Sequence, residues 1–174
     1  MSNLKFELLS ENHLDQLFAF ERENKTWFET WIAPRGEEFY SLENVRAHIE
    51  SNLYGYSRGE YIPFLLLEGQ EIVARANMKE FCKETASAEV GYRVAETHVG
   101  KGVASTCLAR LIEEAHSLQL KRLRANVLDN NPASRRVLEK QQFVAVSHEP
   151  DFWEINGEWQ GRTIMELDLS TAGV

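Results

Sequence analysis

The stretch AEVGYRVAETHVGKGVASTCL, residues 88–108, decides the fold of this chain. Residues 88–94 alternate between small or apolar and polar side chains, which is typical of a strand, and from Val103 onward the spacing is that of an amphipathic helix. Gly100 and Gly102 lie at the join. Glycine allows the backbone to turn tightly and to approach an anion closely, and the first turn of a helix adds unpaired N–H groups and the positive end of its dipole. The stretch therefore predicts a pyrophosphate-binding turn between a strand and a helix.

Other glycine-rich motifs fit this turn less well. A P-loop requires Ser or Thr directly after its lysine, whereas Lys101 is followed by Gly102. A dinucleotide-binding motif needs a third glycine where Ser105 stands, although Asp129 ends the next strand as that motif requires. The chain before the turn predicts consecutive strands rather than alternating strands and helices. An NAD-binding enzyme is therefore a remote alternative, and a tight turn without a ligand is another.

Composition predicts one soluble domain, residues 1–174. The sequence is 43% hydrophobic and 26% charged, and no apolar run approaches the length of a membrane span. The N-terminal residues lack the order of a signal peptide, so we expect a cytoplasmic protein that does not bind membranes. The net charge of −8 argues against nucleic acid as a partner and favours cationic molecules such as amines. The sequence is also compatible with a homodimer.

Cysteine and histidine usage predicts neither a disulfide framework nor a metal site. Cys82 and Cys107 are far apart, and the five histidines are scattered without the spacing of metal ligands. Cys107 belongs to the helix after the glycine turn, on the side expected to face the core. We therefore expect no metal in the active site.

The order of predicted elements gives the fold class, an α/β protein of the mixed α+β type. Two helices, starting after Ser10 and Ser41, precede an antiparallel meander of strands at residues 61–67, 70–81 and 88–95. The helix after the glycine turn crosses over to a strand at 122–128, which must run parallel to the strand before the turn. A helix capped by Asn131 and a hairpin of two strands, at 144–155 and 162–169, complete the chain. We expect a mostly antiparallel sheet that splays open between its two parallel strands, with helices on both faces.

The splayed strands predict the ligand. Parallel strands twist apart, and a slot between them would expose unpaired backbone groups from Tyr92 to Val94 to the amides of an extended molecule. One helix start offers the glycine turn to a pyrophosphate, and the other places Asn131 and Ser134 nearby. Coenzyme A has both a pyrophosphate and a long amide-bearing arm.

Three ordered motifs carry a resemblance to a known family. They are GYRVAETHVGKGVAS, NPASRRVLEKQQF and INGEW, beginning at residues 91, 131 and 155. They resemble the GNAT superfamily of acyl-CoA N-acyltransferases, and within it the RimJ/RimL-like group that acetylates N-termini of ribosomal proteins. The resemblance implies acetyl-CoA as acyl donor. It implies binding at Tyr92, Arg93, Val94, Val99, Gly100, Lys101, Gly102, Val103, Ala104, Ser105, Asn131 and Ser134.

Three positions depart from the family pattern. Val99 stands where the turn usually has Gln or Arg, which removes a polar contact but no backbone donor. Leu138 stands where many members, including polyamine acetyltransferases, carry a tyrosine that protonates the departing thiolate. Gln142 replaces the glycine usual before the phenylalanine of this motif, which affects the end of the helix.

The transfer of an acyl group to an amine requires three groups, and the sequence offers candidates for each. The backbone N–H of Val94 is the predicted oxyanion donor. Ser134 is the predicted proton donor to the thiolate, as the resemblance to RimL-like members implies, with a capping or packing role as the alternative. Glu89 is the predicted base, acting through water, and an ion pair with Arg93 is its structural alternative. Glu149 and Asp151 are further candidates for the base.

The acceptor is predicted to be a primary amine, foremost the α-amino group of a protein N-terminus. Its pKa of about 7.7–8.0, against about 10.4 for lysine, requires only a modest base. Polyamines are the second candidate, and a non-catalytic acyl-CoA-binding module is a third. The predicted substrate-binding residues are Trp31, Phe39, Tyr40, Asp151 and Trp153.

Overall fold

The computed structural model describes residues 3–170, which form a seven-stranded sheet. The strands lie in the order β1-β2-β3-β4-β5-β7-β6. Every neighbouring pair is antiparallel except β4 and β5, which are parallel. The predicted mixed, mostly antiparallel sheet is confirmed. The strands are β1 (Leu4–Leu8), β2 (Ile62–Glu68), β3 (Glu71–Cys82), β4 (Ser87–Val94), β5 (Arg122–Leu128), β6 (Val144–Ile155) and β7 (Glu158–Asp168).

Between residues 3 and 170, five α-helices cover the two faces of the sheet: α1 (Leu14–Glu23), α2 (Lys25–Phe28), α3 (Leu42–Ser57), α4 (Val103–Ser117) and α5 (Pro132–Lys140). The predicted caps Ser41 and Asn131 are confirmed, whereas Ser10 precedes a 3₁₀ turn (Glu11–His13) and α1 begins only at Leu14. Ser41 Oγ accepts a hydrogen bond from the Asn44 N–H at 3.1 Å. Asn131 Oδ1 accepts one from the Ser134 N–H, also at 3.1 Å. Such caps satisfy backbone donors that a helix start leaves unpaired.

The two faces of the sheet bury two separate cores. One core packs α4 and α5 on the sheet through buried residues such as Cys107, Leu111 and Leu138. The other packs α1, α2 and α3 through residues such as Leu17 and Phe28. We call these the α4 face and the α1 face. Residues of β4 alternate between them, since successive side chains of a strand point to opposite faces.

The final hairpin is longer than the sequence predicts. β7 begins at Glu158 rather than near Arg162, because β6 and β7 remain paired up to a two-residue turn at Asn156 and Gly157. Both turn residues have positive φ, 52° and 81°. This is the backbone that a tight hairpin turn requires, and Asn-Gly adopts it readily.

The slot predicted between the parallel strands is confirmed. β4 and β5 are paired only at their beginnings, where Ser87, Ala88 and Glu89 lie opposite β5. Beyond Glu89 the two strands diverge, so the rest of β4 lacks a β5 partner along its edge. Because α4 begins where β4 has ended, the slot leads to the glycine turn.

Candidate active site

The glycine turn has the conformation that the sequence predicts. Gly100 and Gly102 have φ values of 76° and 79°, which L-residues other than glycine adopt only at a cost. A Cβ atom built on either would meet no protein atom within 4 Å. The first backbone hydrogen bond of α4 runs from the Thr106 N–H to the Gly102 carbonyl at 3.0 Å. The N–H groups of Val103, Ala104 and Ser105 therefore precede the helical ladder and are available to an anion.

The edge of β4 presents backbone groups to the slot. The Ala95 N–H donates to the Val73 carbonyl of β3 at 2.9 Å. Since backbone groups alternate in direction along a strand, those of Arg93 also point to β3, and those of Tyr92 and Val94 point into the slot. The Val94 N–H, the predicted oxyanion donor, therefore faces the slot. Its direction follows from the register of β3 and β4.

Trp27 closes the slot from the α1 face. Its indole Nε1 donates to the Val94 carbonyl at 3.2 Å, so this carbonyl already has a partner. The Trp27 ring packs edge-on against Trp31, with ring centroids 5.3 Å apart. The sequence analysis named Trp31 but missed Trp27. Its position four residues before Trp31 on a helical segment is the signal that the two rings share one surface.

Tyr92 and Ser134 meet on the α4 face of the slot. The Tyr92 hydroxyl lies 2.9 Å from Ser134 Oγ, which joins β4 to the start of α5 across the opening between the strands. Burial raises the pKa of the Tyr92 phenol, which therefore stays protonated at neutral pH. The sequence analysis assigned Tyr92 only to cofactor binding. The structure thus supplies a tyrosine hydroxyl beside Ser134, although the usual tyrosine position is the buried Leu138.

The start of α5 fits an amide-bearing ligand. Asn131 uses its carbonyl oxygen to cap the helix, so only its NH₂ group is available to a ligand. The neighbouring Asn130 has a buried side-chain oxygen without a hydrogen-bond partner among the described residues. A buried acceptor of this kind normally has a partner. The open glycine turn suits a pyrophosphate, and an unpaired amide oxygen suits the N–H groups of an amide-bearing ligand such as CoA.

Glu89 does not pair with Arg93, and this alternative from the sequence is wrong. Glu89 lies directly opposite Lys79 of β3, and their charged groups are 3.4 Å apart. Arg93 lies four residues further along the strand, about 13 Å away, and contacts Glu21 instead at 3.2 Å. Cross-strand neighbours are close enough to pair, whereas residues four apart on one strand are not.

Arg93 belongs to a buried ionic cluster that the sequence analysis missed. Glu21 of α1 is 1% exposed and forms a hydrogen-bonded ion pair with Arg75 of β3. Burial raises the pKa of the Glu21 carboxyl, but the three guanidiniums of Arg75, Arg93 and Arg35 outweigh it, and the net shift is downward. The signal for this cluster is Glu21 at a core-facing position of α1 and Arg75 inside an apolar strand.

His48 completes the cluster as a neutral acceptor. Arg75 Nη2 donates to its Nε2 at 2.9 Å. Burial and the neighbouring guanidiniums lower the pKa of His48 to about 3, so the ring is uncharged near neutral pH. Burial also lowers the pKa of Arg93 to about 10. The charged groups of the cluster are therefore one carboxylate and three guanidiniums, and His48 adds no charge.

The predicted substrate-binding residues fall into two groups. Phe39 stacks edge-on with Tyr40 and with His48, at centroid distances of 5.2 and 5.5 Å, and Trp31 packs on Trp27. These aromatics therefore lie with the ionic cluster on the α1 face. Asp151 and Trp153 are exposed on β6, at the edge of the sheet. Next to them, Arg162 donates to Glu149 at 2.8 Å and lowers the pKa of that carboxyl, which weakens it as a base.

A mixed sheet that opens between two parallel strands, with an anion-binding turn at the end of the opening, defines an acyltransferase that takes its acyl group from CoA. The chain belongs to the GNAT acetyltransferases: the family model described as "Acetyltransferase (GNAT) domain" matches residues 3–144. It is an acetyl-CoA-dependent N-acyltransferase. The expected family and fold are confirmed, and the alternatives of an NAD-binding enzyme and a non-catalytic module are excluded.

Three relatives illustrate the similarity. The "Ribosomal-protein-serine acetyltransferase" of Escherichia coli (strain K12) is 27% identical over 144 residues, which cover 82% of this chain and 79% of the relative. The structure of ribosomal-protein-S5-alanine acetyltransferase from Vibrio fischeri superposes with a TM-score of 0.91 at 16% identity, covering 98% and 96% of the two chains. RimL, a ribosomal L7/L12 α-N-protein acetyltransferase solved with coenzyme A, gives a TM-score of 0.87 at 20% identity, covering 95% and 93%. The two solved structures support the fold.

None of the helices between residues 3 and 170 is both long enough and apolar enough to cross a bilayer.

Proposed function

We propose that this enzyme acetylates the α-amino group of a protein or peptide N-terminus, by direct attack of the amine on acetyl-CoA in a ternary complex. One observation carries the choice of acceptor. On the α1 face, beside Val94, three guanidiniums surround one carboxylate. This surplus of positive charge repels a polyamine or a lysine ammonium, whereas an α-amine with a pKa near 7.7–8.0 is partly neutral at pH 7. The curated relative from Escherichia coli carries the name of a ribosomal-protein acetyltransferase, which agrees with this choice.

The slot separates the two reactants by face. Acetyl-CoA supplies the thioester, and the glycine turn and the Asn130–Asn131 segment are proposed to hold it from the α4 face. The amine is proposed to enter from the α1 face, past Trp27 and Trp31. The Val94 N–H, which points into the slot between them, stabilises the developing oxyanion. A backbone donor that is already in position lowers the activation barrier, because the donor does not have to reorganise during the reaction.

A comparison of different acceptor amines tests the proposal directly. Release of CoA is measured with peptides that begin with free Ser or Ala, with a lysine peptide whose N-terminus is blocked, and with spermidine. We expect kcat/KM for the free N-terminal peptides to exceed that for the other two by at least about 100-fold. A preference for spermidine or for the blocked lysine peptide would contradict the proposal.

Tyr92 and Ser134 are proposed to deliver a proton to the departing thiolate. The pair is hydrogen-bonded on the face where CoA is held, and a phenol with a raised pKa retains its proton to donate. Tyr92→Phe and Ser134→Ala are each expected to lower kcat about 10- to 100-fold at pH 8.5 and less at pH 6.5. The deficit grows with pH because solvent protonates a thiolate more readily at low pH.

Tyr54→Phe is the matched control, since it removes a tyrosine hydroxyl that is exposed on α3. Rates are measured from pH 6.5 to 8.5 with saturating acetyl-CoA. If the Tyr92 and Ser134 variants show the same small deficit at every pH, the hydroxyl pair is a structural link between β4 and α5 only.

Glu89 is proposed to accept the amine proton through water. Along the strand it lies three residues from Tyr92, about 10 Å, and five residues from Val94, about 17 Å. These distances are too long for direct proton transfer. We expect Glu89→Gln to lower kcat about 10- to 100-fold near pH 7, at the low end for a general base, with partial rescue at high pH where the amine is already neutral. CoA affinity should be unchanged.

Lys79→Gln is the control for Glu89, because it breaks the same ion pair while leaving the carboxylate in place. A structural role for the pair predicts equal losses in both variants. A catalytic role predicts a loss in Glu89→Gln alone. Equal losses that persist across the pH range would therefore move the base elsewhere, to Asp151 or to bulk water.

A further inference from the structure

More guanidinium groups surround Glu21 than its single carboxylate can pair with. Arg75 takes Oε1 of Glu21, and Arg93 contacts Oε2 at 3.2 Å. Arg35 lies 3.9 Å from Oε1, which is beyond hydrogen-bonding distance. Among the described residues, Arg35 makes no other ion pair and no hydrogen bond. Counting one carboxylate against three guanidiniums, with His48 neutral, the cluster has a surplus of two positive charges.

Solvent reaches the guanidiniums that carry the surplus charge only in part. The side chains of Arg35 and Arg93 are 21% and 23% exposed, against 8% for Arg75. Each of the two more exposed guanidiniums rests on an aromatic ring, with Arg35 4.3 Å from the Phe39 centroid and Arg93 4.9 Å from that of Phe28. Stacking leaves the edge of a guanidinium free, and this edge carries its N–H donors.

These guanidinium N–H donors lie on the side of the slot from which the acceptor amine is proposed to enter. Arg93 directly precedes Val94, whose N–H faces the slot, and its side chain points to the α1 face from which the amine is proposed to enter. Arg35 shares the Glu21 carboxylate with it, so both lie beside the same entrance. Burial lowers the pKa of both guanidiniums, which is the effect expected of desolvated cations without full compensation.

We infer that Arg35 and Arg93 bind a carboxylate of the acceptor, so that the preferred substrate carries an anionic group a few bonds from its reacting amine. This inference rests on the proposed function and narrows its substrate class. Two sources provide the same chemistry: an Asp or Glu side chain early in a peptide, or the α-carboxylate of a free amino acid. A carboxylate matches the paired N–H groups of a guanidinium and also neutralises part of the surplus charge.

The first experiment compares acceptors that differ in one charge. The peptides Ser-Asp-Ala-Ala, Ser-Asn-Ala-Ala and Ser-Lys-Ala-Ala are used as C-terminal amides, so that the Asp side chain is the only carboxylate, and free serine is compared with serinamide. We expect kcat/KM for the Asp peptide to exceed that for the Asn peptide about 10- to 100-fold, mostly through KM. Preference for serine over serinamide identifies the amino-acid source, and preference for the Asp peptide identifies the peptide source.

The second experiment reverses the charge of the protein. Arg35→Glu should lower kcat/KM for the Asp peptide about 10- to 100-fold and raise it for the Lys peptide. Arg35→Gln should remove the preference without reversing it. Because Arg35 makes no hydrogen bond in the described structure, we expect both variants to fold. Arg58→Glu is the control. Like Arg35, Arg58 contacts an aromatic ring, here that of a tyrosine, and a glutamate, but it lies at the exposed end of α3.

A binding measurement keeps this inference separate from the proposed function. Calorimetry in the presence of CoA compares the N-acetylated Asp and Asn peptides, which need no turnover. Tighter binding of the Asp product by wild type, lost in Arg35→Gln, supports the carboxylate site whatever the enzyme acetylates best. Equal binding of the two products, together with equal kcat/KM for the Asp and Asn peptides and for serine and serinamide, overturns the inference while leaving N-terminal acetylation intact. Acetylation of spermidine alone overturns the proposed function instead.

Discussion

Replacement of Gly102 by valine is expected to raise the dissociation constant for CoA at least about 100-fold while leaving the protein folded. Gly102 has a φ of 79° and lies where α4 begins, and no protein atom approaches within 4 Å of a Cβ built there. A valine side chain would therefore collide with a bound pyrophosphate rather than with the protein. The left-handed backbone also costs a non-glycine residue roughly 1–2 kcal/mol, and a β-branched residue at least as much.

The control separates these two effects. Gly59 has a φ of 69° and is equally open, but it follows α3 and is far from the turn in sequence. Gly59→Val should therefore lower stability by a similar amount and leave CoA affinity unchanged. Calorimetric titration with CoA and a thermal melt measure the two effects. Wild-type CoA affinity in a folded Gly102→Val protein would remove the turn from the binding site.

The parts of this site that the sequence predicts are governed by local rules. The turn at Gly100 and Gly102 requires a backbone that glycine alone adopts freely, so it is visible in a few letters. Asn131 and Pro132 mark a helix start because a cap and a missing N–H suit that end of a helix. The slot follows from a crossover helix and the twist of parallel strands. Each of these rules acts over a short stretch of chain or on the order of its elements.

The parts that the sequence did not predict depend on long-range contacts between side chains. Trp27 and Val94 are 67 residues apart, and Tyr92 and Ser134 are 42 apart. Nothing local in either segment specifies these distances. The sequence analysis predicted Ser134 as the acid, because Leu138 stands where the family often has a tyrosine, but it did not predict that a tyrosine hydroxyl from β4 lies beside Ser134. In the proposed mechanism the tyrosine hydroxyl is therefore supplied by a different element, because geometry rather than sequence position determines the role of a group.

The ionic cluster illustrates the same point for charge. Glu21 and Arg75 are 54 residues apart, and each alone appears as a polar residue in an apolar stretch. Their pairing becomes apparent only when α1 packs across β3 and β4. Because Arg93 of this cluster directly precedes Val94, packing of α1 also determines the electrostatics of the α1 face of the slot.

Removal of the Glu21 charge should destabilise the fold strongly. Glu21→Gln leaves the buried guanidinium of Arg75 and the partly exposed guanidiniums of Arg35 and Arg93 around a neutral amide, and loss of one partner of a buried ion pair typically costs about 3–5 kcal/mol. Since total stabilities are about 5–15 kcal/mol, the loss takes a large share of the whole. Urea unfolding at pH 7.5 measures the difference. Glu23→Gln, which changes an exposed residue of the same helix, should have little effect.

The difference in stability between wild type and Glu21→Gln should depend on pH with a definite sign. The pKa of Glu21 in the folded protein lies below its ordinary value of 4.5, since the guanidiniums outweigh the effect of burial. The contribution of Glu21 is therefore fully present above about pH 5 and is lost as the pH falls through the lower folded pKa. The difference between wild type and Glu21→Gln should be constant from pH 8 to about pH 5 and should shrink below that.

A second substitution tests whether uncompensated positive charge causes the loss. Adding Arg35→Gln to Glu21→Gln removes one of the stranded guanidiniums, so the double variant should be more stable than Glu21→Gln alone. In the wild-type background, Arg35→Gln should change stability far less, because Arg35 is 3.9 Å from the carboxylate and makes no hydrogen bond to it. If Arg35→Gln is equally harmful in both backgrounds, the destabilisation comes from lost packing on Phe39 and the charge surplus is not its cause.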